Sequence, residues 1–279
     1  MDYFYIITNE EKDKDLEITN RIQAYIESHG KTCVISKRDG KSRLRCDLIP
    51  KEVECALVLG GDGTLIRAAR ELAEFDIPLL GINLGTLGYL TEVEIEEHES
   101  ALQRLFANDF HVEERMMLRG KVHGQMEDTA LNDVVVTRDG CLRTIRFHVY
   151  VNEVLLHKYS ADGIIVSTPT GSTGYNLSAG GPIVQPTASI ILLTPICPHD
   201  LNASSIVLSP SDRIMIQIIG DEERQVPAVV TFDGVELTPL KPGEGVTIRK
   251  SSQVTKIIKL SKESFMHTMR NKMKGSEGQ

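Results

Sequence analysis

The sequence predicts an open, parallel α/β domain followed by an all-β domain of the sandwich type. Short apolar runs alternate with helical spacings up to about residue 114, the rhythm of strands and crossover helices. Beyond it, short β-rich runs separated by turn residues take over. The strand–glycine–helix passage that best marks a parallel sheet, Cys55-Ala-Leu-Val-Leu-Gly-Gly-Asp-Gly-Thr64, falls in the first part. The predicted domains are residues 1–114, joined by 262–279, and residues 115–261.

Residues 3–8 form an apolar first strand. Residues 14–29 carry Leu16, Ile18, Ile22 and Ile26 at helical spacing, with Gly30 as C-cap. A second strand covers 32–36, and the polar, basic residues 37–45 read as a mobile loop. Residues 55–59 are too few for a helix and read as a buried parallel strand. Gly60, Gly61 and Gly63 allow a tight turn, and 64–74 resume a helix with Leu65, Ala68, Ala69 and Leu72 on one face. The next strand, 77–82, ends in a second glycine turn, Asn83-Leu-Gly-Thr-Leu-Gly88. Residues 96–107 form a short helix with Leu102, Leu105 and Phe106 inward, and the acids of 92–99 sit where its dipole favours them. A ligand crevice is expected beyond the carboxyl ends of these strands, where both glycine turns fall.

The β-rich runs are 116–123, 129–137, 144–151, 163–168, 190–195, 206–209, 213–219, 226–232, 246–250 and 254–260. Phe232-Asp-Gly-Val235 is the strongest hairpin signal. Residues 262–274 are helical, with Phe265, Met266 and Met269 apolar, and are expected to pack back on the first domain.

Composition narrows the function classes. The chain has 279 residues, 41% hydrophobic and 25% charged, enough for real cores. A net charge of −8 argues against a nucleic-acid phosphate binder. With no Trp and 5% aromatic residues, a base-stacking platform lacks material. No apolar run approaches the roughly 18 residues of a membrane span, and the start lacks a signal peptide's basic region. Cys33, Cys46, Cys55, Cys141 and Cys197 are odd in number and widely spaced, which predicts reduced thiols in a cytoplasmic protein and no zinc site.

A strand, a glycine turn and a helix N-terminus make an anion site, because open N–H groups and the helix dipole both favour phosphate. Asp62 sits there although an acid repels phosphate, unless it takes a proton from a hydroxyl or holds a metal. A Walker A loop would need a Lys followed by Ser or Thr, and the dinucleotide fingerprint fails at Ile66. Taken alone, Gly-Gly-Asp-Gly is equally an ordinary turn. A second constellation begins at Ser160 and ends at Pro182, where a buried strand runs into small hydroxyls, glycines and a short helix near Tyr175. It suits a nucleotide's sugar, phosphate and base edge, or a structural loop. Gly171-Ser-Thr-Gly174 is one residue short of a nucleophile elbow, so no hydrolase triad is indicated. Asn132-Asp133 is an amide–carboxylate pair able to grip two ribose hydroxyls, or a turn before the Val134-Val-Val136 strand.

Gly60-Gly-Asp-Gly-Thr64, Asn83-Leu-Gly85 with Gly88-Tyr-Leu90, Asn132-Asp133, and Asp162-Gly163 through Thr168-Pro-Thr-Gly-Ser-Thr-Gly-Tyr175 occur in that order. In this the chain resembles the NAD kinases, from its first strand to the closing Phe265-Met-His-Thr-Met-Arg-Asn-Lys-Met273. Phosphofructokinases and lipid kinases share Gly-Gly-Asp-Gly-Thr, whereas the stretch from Asp162 to Gly181 with Asn132-Asp133 is specific. The resemblance implies phosphoryl transfer from ATP or another phosphoryl donor, with Mg²⁺ or another divalent cation, to the 2′-hydroxyl of the adenosine ribose of NAD. It implies Asp62 as general base, and Gly60, Gly61, Gly63 and Thr64 at the ATP phosphates. The dinucleotide would meet Asp62, Gly63, Arg67, Asn132, Asp133, Arg143, Asp162 at the nicotinamide end, and Thr173, Tyr175 and Ser178 on the adenine and ribose side. A homodimer or homotetramer is implied as well. Gly174, where many relatives carry Ala, and Val235, where many carry a polar residue, bear on the pocket's specificity. The competing readings are a lipid or sugar kinase of the same superfamily and a non-catalytic dinucleotide sensor; the latter would be expected to have lost the acid at position 62.

Overall fold

Apolar runs too short for helices hydrogen-bond side by side, and that pairing sets the architecture. The computed structural model describes residues 1–40, 43–85, 88–124, 127–140, 143–199, 203–220, 226–261, 265–266 and 269–270. The chain divides into two units, Met1–Glu114 with Thr255–Gln279, and Arg115–Val254.

In the first unit β1 (Tyr3–Thr8), β2 (Thr32–Ile35), β3 (Cys55–Gly60), β4 (Leu79–Asn83) and the short β5 (Val93–Glu94) are all parallel. The order β4-β3-β1-β2 puts the most apolar strands in the middle. Phe4 and Ile6 share one face with Leu57 and Leu59, beneath Ile22 and Ile26 of α1 (Glu17–Ser28) and Leu102 and Leu105 of α3 (His98–Phe106). The opposite face carries α2 (Asp62–Glu71), whose Leu65 lies over Gly81 and leaves 2.7 Å to a methyl group placed there. Each fully buried side chain of this kind contributes about 1.5–3 kcal/mol. Helices on both faces confirm the open, parallel α/β domain. The chain crosses from β2 to β3 over β1, so the carboxyl ends of β1 and β3 flank the point where strand order reverses.

In the second unit two antiparallel sheets share one core. One runs β10 (Val154–Ala161), β9 (Ile145–Val151), β14 (Ile214–Ile218), β17 (Gly245–Lys259), with β6 (His111–Val122) beside β17 and β7 (Glu127–Ala130) beside β6. The other runs β13 (Ile206–Leu208), β12 (Ile191–Ile196), β11 (Gly163–Ser167), β8 (Asp133–Arg138), β15 (Ala228–Phe232), β16 (Leu237–Leu240). Leu118, Phe147, Ile214 and Ile216 of the first meet Val134, Val136, Ile164, Leu193 and Val230 of the second. The alternating side chains point outward, the pattern of a β-sandwich.

Several boundaries differ from the sequence expectation for identifiable reasons. The first helix begins at Glu17, after a 3-10 turn, because the buried Asp13 carboxylate accepts the N–H groups of Ile18 (3.0 Å) and Thr19 (2.9 Å). The α2 helix begins at Asp62, not at residue 64, so Asp62 and Gly63 belong to its first turn and Gly61 is the N-cap. The expected mobile loop at 37–45 is, in its described part, a small hairpin with an Arg38–Leu44 bridge, and the Leu44 N–H is held by Glu71 at 3.1 Å. Besides the two-residue β5, two strands went unread. The turn into β10 uses Asn152 and Glu153 at φ of 50° and 69°, a hairpin without a glycine signal. The edge strand β16 contains Pro239, which reads as a breaker. The runs 246–250 and 254–260 join into β17, whose Ile257 lies parallel to Leu79, and return to the first unit is at Thr255. The predicted 262–274 helix lies outside the described residues except at 265–266 and 269–270, and Cys141, Thr86 and Leu87 lie outside them entirely.

Candidate active site

Each unit holds one set of the predicted residues. In the first unit a crevice of about 560 Å³ opens at the carboxyl ends of β1 and β3, lined by Gly61, Gly63, Thr64 and Arg67 among others. Gly60 ends β3 under Thr64, and a methyl group there would collide with the Thr64 side chain. Asn9 Nδ2 donates to Thr64 Oγ1 at 3.3 Å, tying the end of β1 to the start of α2. Arg67 lies one turn on, 3.6 Å from Glu71, which also receives Arg38 at 3.4 Å.

The cation that the Gly-Gly-Asp-Gly stretch lacks comes from elsewhere in the chain. The Lys12 ammonium lies 3.4 Å from where a methyl group on Gly61 would stand and 3.1 Å from one on Gly85. It therefore sits over the glycines that follow β3 and β4. Lys12 N–H bonds the Asn9 carbonyl at 3.0 Å, so the turn after β1 sets its position. Sequence reading missed Lys12 because it lies in the mixed-charge run Glu10-Glu-Lys-Asp-Lys14, which looks like a solvated turn.

Asp62 is held by the second glycine turn. Its Oδ2 accepts the Tyr89 N–H at 2.6 Å. Its Oδ1 accepts the N–H groups of Leu90 and Thr91, both at 3.0 Å, and the Thr91 hydroxyl at 3.3 Å. A methyl group on Gly88 would overlap the carboxylate, so glycine is required for this approach. A carboxylate offers about four acceptor positions. With Oδ1 saturated, one position on Oδ2 is left for a further donor.

In the second unit Asn132 lies between β7 and β8, Asp133 opens β8, and Asp233 clamps both. Asp233 Oδ1 accepts the N–H groups of Asn132 (2.8 Å) and Asp133 (3.0 Å), and Oδ2 that of Leu131 (2.8 Å). Asp233 and Gly234 have φ of 51° and 70°, so the Phe232-Asp-Gly-Val235 turn is the expected hairpin turn, and its acid also shapes the opposite loop. From the other side, the Thr168 N–H bonds the Asn132 carbonyl at 2.8 Å and its hydroxyl the Leu131 carbonyl at 2.6 Å. Gly171 passes so close to the Asn132 carbonyl that a side chain would overlap it. The Asn132 Oδ1 is buried with no partner among the described residues, an acceptor suited to a ligand hydroxyl.

Much of the hydroxyl-rich loop therefore holds itself together. Ser172 Oγ bonds Val184 in both directions, and Asn176 is buried against Ser172, Pro182 and Thr194. Thr173 is half-buried, while Tyr175 and Ser178 of the short α4 (Tyr175–Ser178) face solvent. The Tyr175 hydroxyl is nonetheless raised in pKa, by partial burial first and then by Cys197, Asp133 and Asp162, which places these groups near it. Asp162 is ion-paired with Arg138 at 3.0 Å. Arg143 is exposed in the loop between β8 and β9. A methyl group on Gly174 would find 3.3 Å to the Gly171 carbonyl, so Ala fits there with a small shift.

Burial, and then the neighbouring Asp233 carboxylate, push Asp133 from 3.8 up to about 7. A carboxyl with a raised folded-state pKa stabilises most below its unfolded value, and the contribution is lost as pH climbs towards about 7. Wild type should therefore lose stability relative to Asp133→Asn between about pH 4 and pH 7, by on the order of a few kcal/mol, and run parallel to it above that. Urea unfolding of both proteins across that range measures it; parallel pH profiles would contradict the assignment.

Comparison with known proteins gives the family and the fold. The model of the ATP-NAD kinase N-terminal domain matches residues 4–110, and that of the ATP-NAD kinase C-terminal domain residues 131–260. The NAD kinase of Lachnospira eligens is 45% identical over 295 residues, covering 98% of this chain and 100% of that one. The NAD kinase of Agathobacter rectalis is 46% identical over 279 residues, covering 98% and 99%. Among solved structures, the NAD kinase of Archaeoglobus fulgidus in complex with ATP superposes with a TM-score of 0.76 at 26% identity, covering 93% of this chain and 94% of that one. Yeast NADH kinase complexed with NADH gives 0.84 at 22% identity, covering 100% and 89%, a likeness of fold.

Proposed function

The chain belongs to the NAD kinase family and phosphorylates NAD, and from that premise we propose that Asp62 is the base that activates the attacking hydroxyl. The observation that carries the proposal is the Asp62 carboxylate, oriented by three N–H groups with one acceptor position of Oδ2 left over. The 2′-hydroxyl of the adenosine ribose donates its proton to that position as its oxygen bonds to the γ-phosphorus of ATP. The bond from the γ-phosphorus to the bridging oxygen breaks, and ADP leaves with the electron pair. A carboxylate at a phosphate site is thereby explained, because its partner is the hydroxyl.

The same proposal puts the ATP phosphates at Gly60, Gly61, Gly63 and Thr64, where α2 begins and Lys12 supplies positive charge. Asn132 and Asp133 grip the ribose hydroxyls, supported by the unpartnered Asn132 Oδ1. Asp162 faces the nicotinamide end, Thr173, Tyr175 and Ser178 the adenine and ribose, and Arg67 and Arg143 contact the dinucleotide. No three His, Cys, Asp or Glu side chains converge as a metal cage among the described residues. Mg²⁺ at such sites takes one or two carboxylates together with substrate phosphates, so the divalent cation would be one carried by the ATP phosphates. The resemblance supports a cytoplasmic homodimer or homotetramer. Among the described residues, no helix is long and apolar enough to cross a membrane.

The test is NADP formation from NAD and Mg-ATP by wild type and Lys12→Met. Wild type should be active, and the variant should show a KM for ATP raised about tenfold, as loss of one charge-assisted contact of about 1.5 kcal/mol implies. Its KM for NAD should stay within about twofold. An unchanged KM for ATP would remove Lys12 from the donor site.

A further inference from the structure

The outer face of the first sandwich sheet holds a second concave site that no step above uses. Strand alternation produces it. On β6, Leu118 and Val122 are buried, so Arg119 and Lys121 point away from the core, and His123 continues the row. On β17, Val246 and Ile248 are buried, which turns Thr247 and Arg249 outward. Arg213 precedes the inward Ile214 of β14. These side chains line a cavity of about 780 Å³ together with Gly124 and one acid, Glu127.

The charge balance of this cavity is opposite to that of the molecule. Among the described residues, four permanent cations and His123 face a single carboxylate, in a chain of net charge −8. Glu127 is engaged with Arg119 at 2.9 Å and lies 3.8 Å from Arg249. The side chains of Lys121, His123 and Arg213 make no ion pair among the described residues. Like charges crowded on one face repel unless an anion joins them. The cavity has the volume of a small-molecule site, which runs from about 300 to 1,000 Å³. No Phe, Tyr or Trp lines it, so a nucleobase would find nothing to stack on. Guanidinium forks, an ammonium and the Thr247 hydroxyl suit phosphate oxygens.

We propose that this face binds an inorganic oligophosphate chain, recognised by its charge, at a site separate from the residues assigned to the NAD kinase reaction. It involves no bond making or breaking.

Calorimetric titration of the full chain with inorganic tripolyphosphate tests it, comparing wild type with the double variant Arg213→Glu/Arg249→Glu. The expected result is loss of one binding equivalent in the variant. Basal NAD phosphorylation and the melting profile should be unchanged, and wild-type affinity at that equivalent should fall steeply with added salt. A variant that binds as many equivalents as wild type, with the same affinities, overturns the proposal. So does a change of sedimentation coefficient with no change in anion binding, which would make the face a subunit contact. ATP binding this equivalent more than tenfold tighter than tripolyphosphate would make the occupant a nucleotide and overturn the inorganic assignment.

Discussion

Asp62→Asn is expected to lower kcat for NAD phosphorylation by about 10²–10⁴-fold, the usual range for losing a positioned general base. The KM for NAD should move by no more than a few-fold, because the contacts assigned to Asn132 and Asp133 are untouched. Two effects act together in this variant. An amide nitrogen takes no proton at neutral pH, so the 2′-hydroxyl loses its acceptor. The amide also has one oxygen where the carboxylate has two, so it cannot accept from Tyr89 on one side and from Leu90 and Thr91 on the other. One or two N–H groups lose their partner, which costs about 1–3 kcal/mol of stability if water does not replace it. Steady-state kinetics with a thermal melt separates the two: a fall in kcat at a temperature well below both melting points belongs to the chemistry.

The second large effect is expected at Asp233, whose side chain meets no substrate in this account. Asp233→Ala strands the N–H groups of Leu131, Asn132 and Asp133 at once. The loop carrying Asn132 and Asp133, the pair proposed to grip the ribose, then loses its carboxylate anchor and keeps Ser167 and Thr168. The KM for NAD should rise about tenfold to a hundredfold, equivalent to about 1.4–2.8 kcal/mol, with kcat less affected. Asp233→Asn should be intermediate, since Asn tolerates the φ of 51° and its one oxygen can serve Asn132 and Asp133 together. Equal KM values in all three proteins would reduce Asp233 to a turn residue.

What was legible in the sequence follows from which signals are local. The parallel strands were readable because each is a short, fully apolar run, as in Cys55-Ala-Leu-Val-Leu59. Asp62 stood out because its charge contradicted its surroundings. The partners of these residues were not readable, because the contacts are distant in the chain. Asp233 meets Asn132 across 101 residues, and Asp62 meets Leu90 across 28. Lys12 belongs with Gly61 and Gly85 because β1 lies beside β3, and β3 beside β4. The hydroxyl-rich stretch was open to a nucleotide or a structural reading, and Ser167, Thr168, Ser172 and Asn176 spend their hydrogen bonds on the stretch itself and on the Leu131–Asn132 turn. A hydroxyl in a sequence does not say which way it donates.

The role of Asp62 is tested most directly by chemical rescue. Asp62→Ala leaves the N–H groups of Tyr89, Leu90 and Thr91 without their carboxylate, and formate supplies the missing group to the same donors. The account predicts that Asp62→Ala is nearly inactive and that added formate restores NADP formation in a saturable way. Wild type should not respond. An Asp62→Ala enzyme with the wild-type rate, or one that binds formate without regaining any rate, would show that Asp62 does not accept the proton.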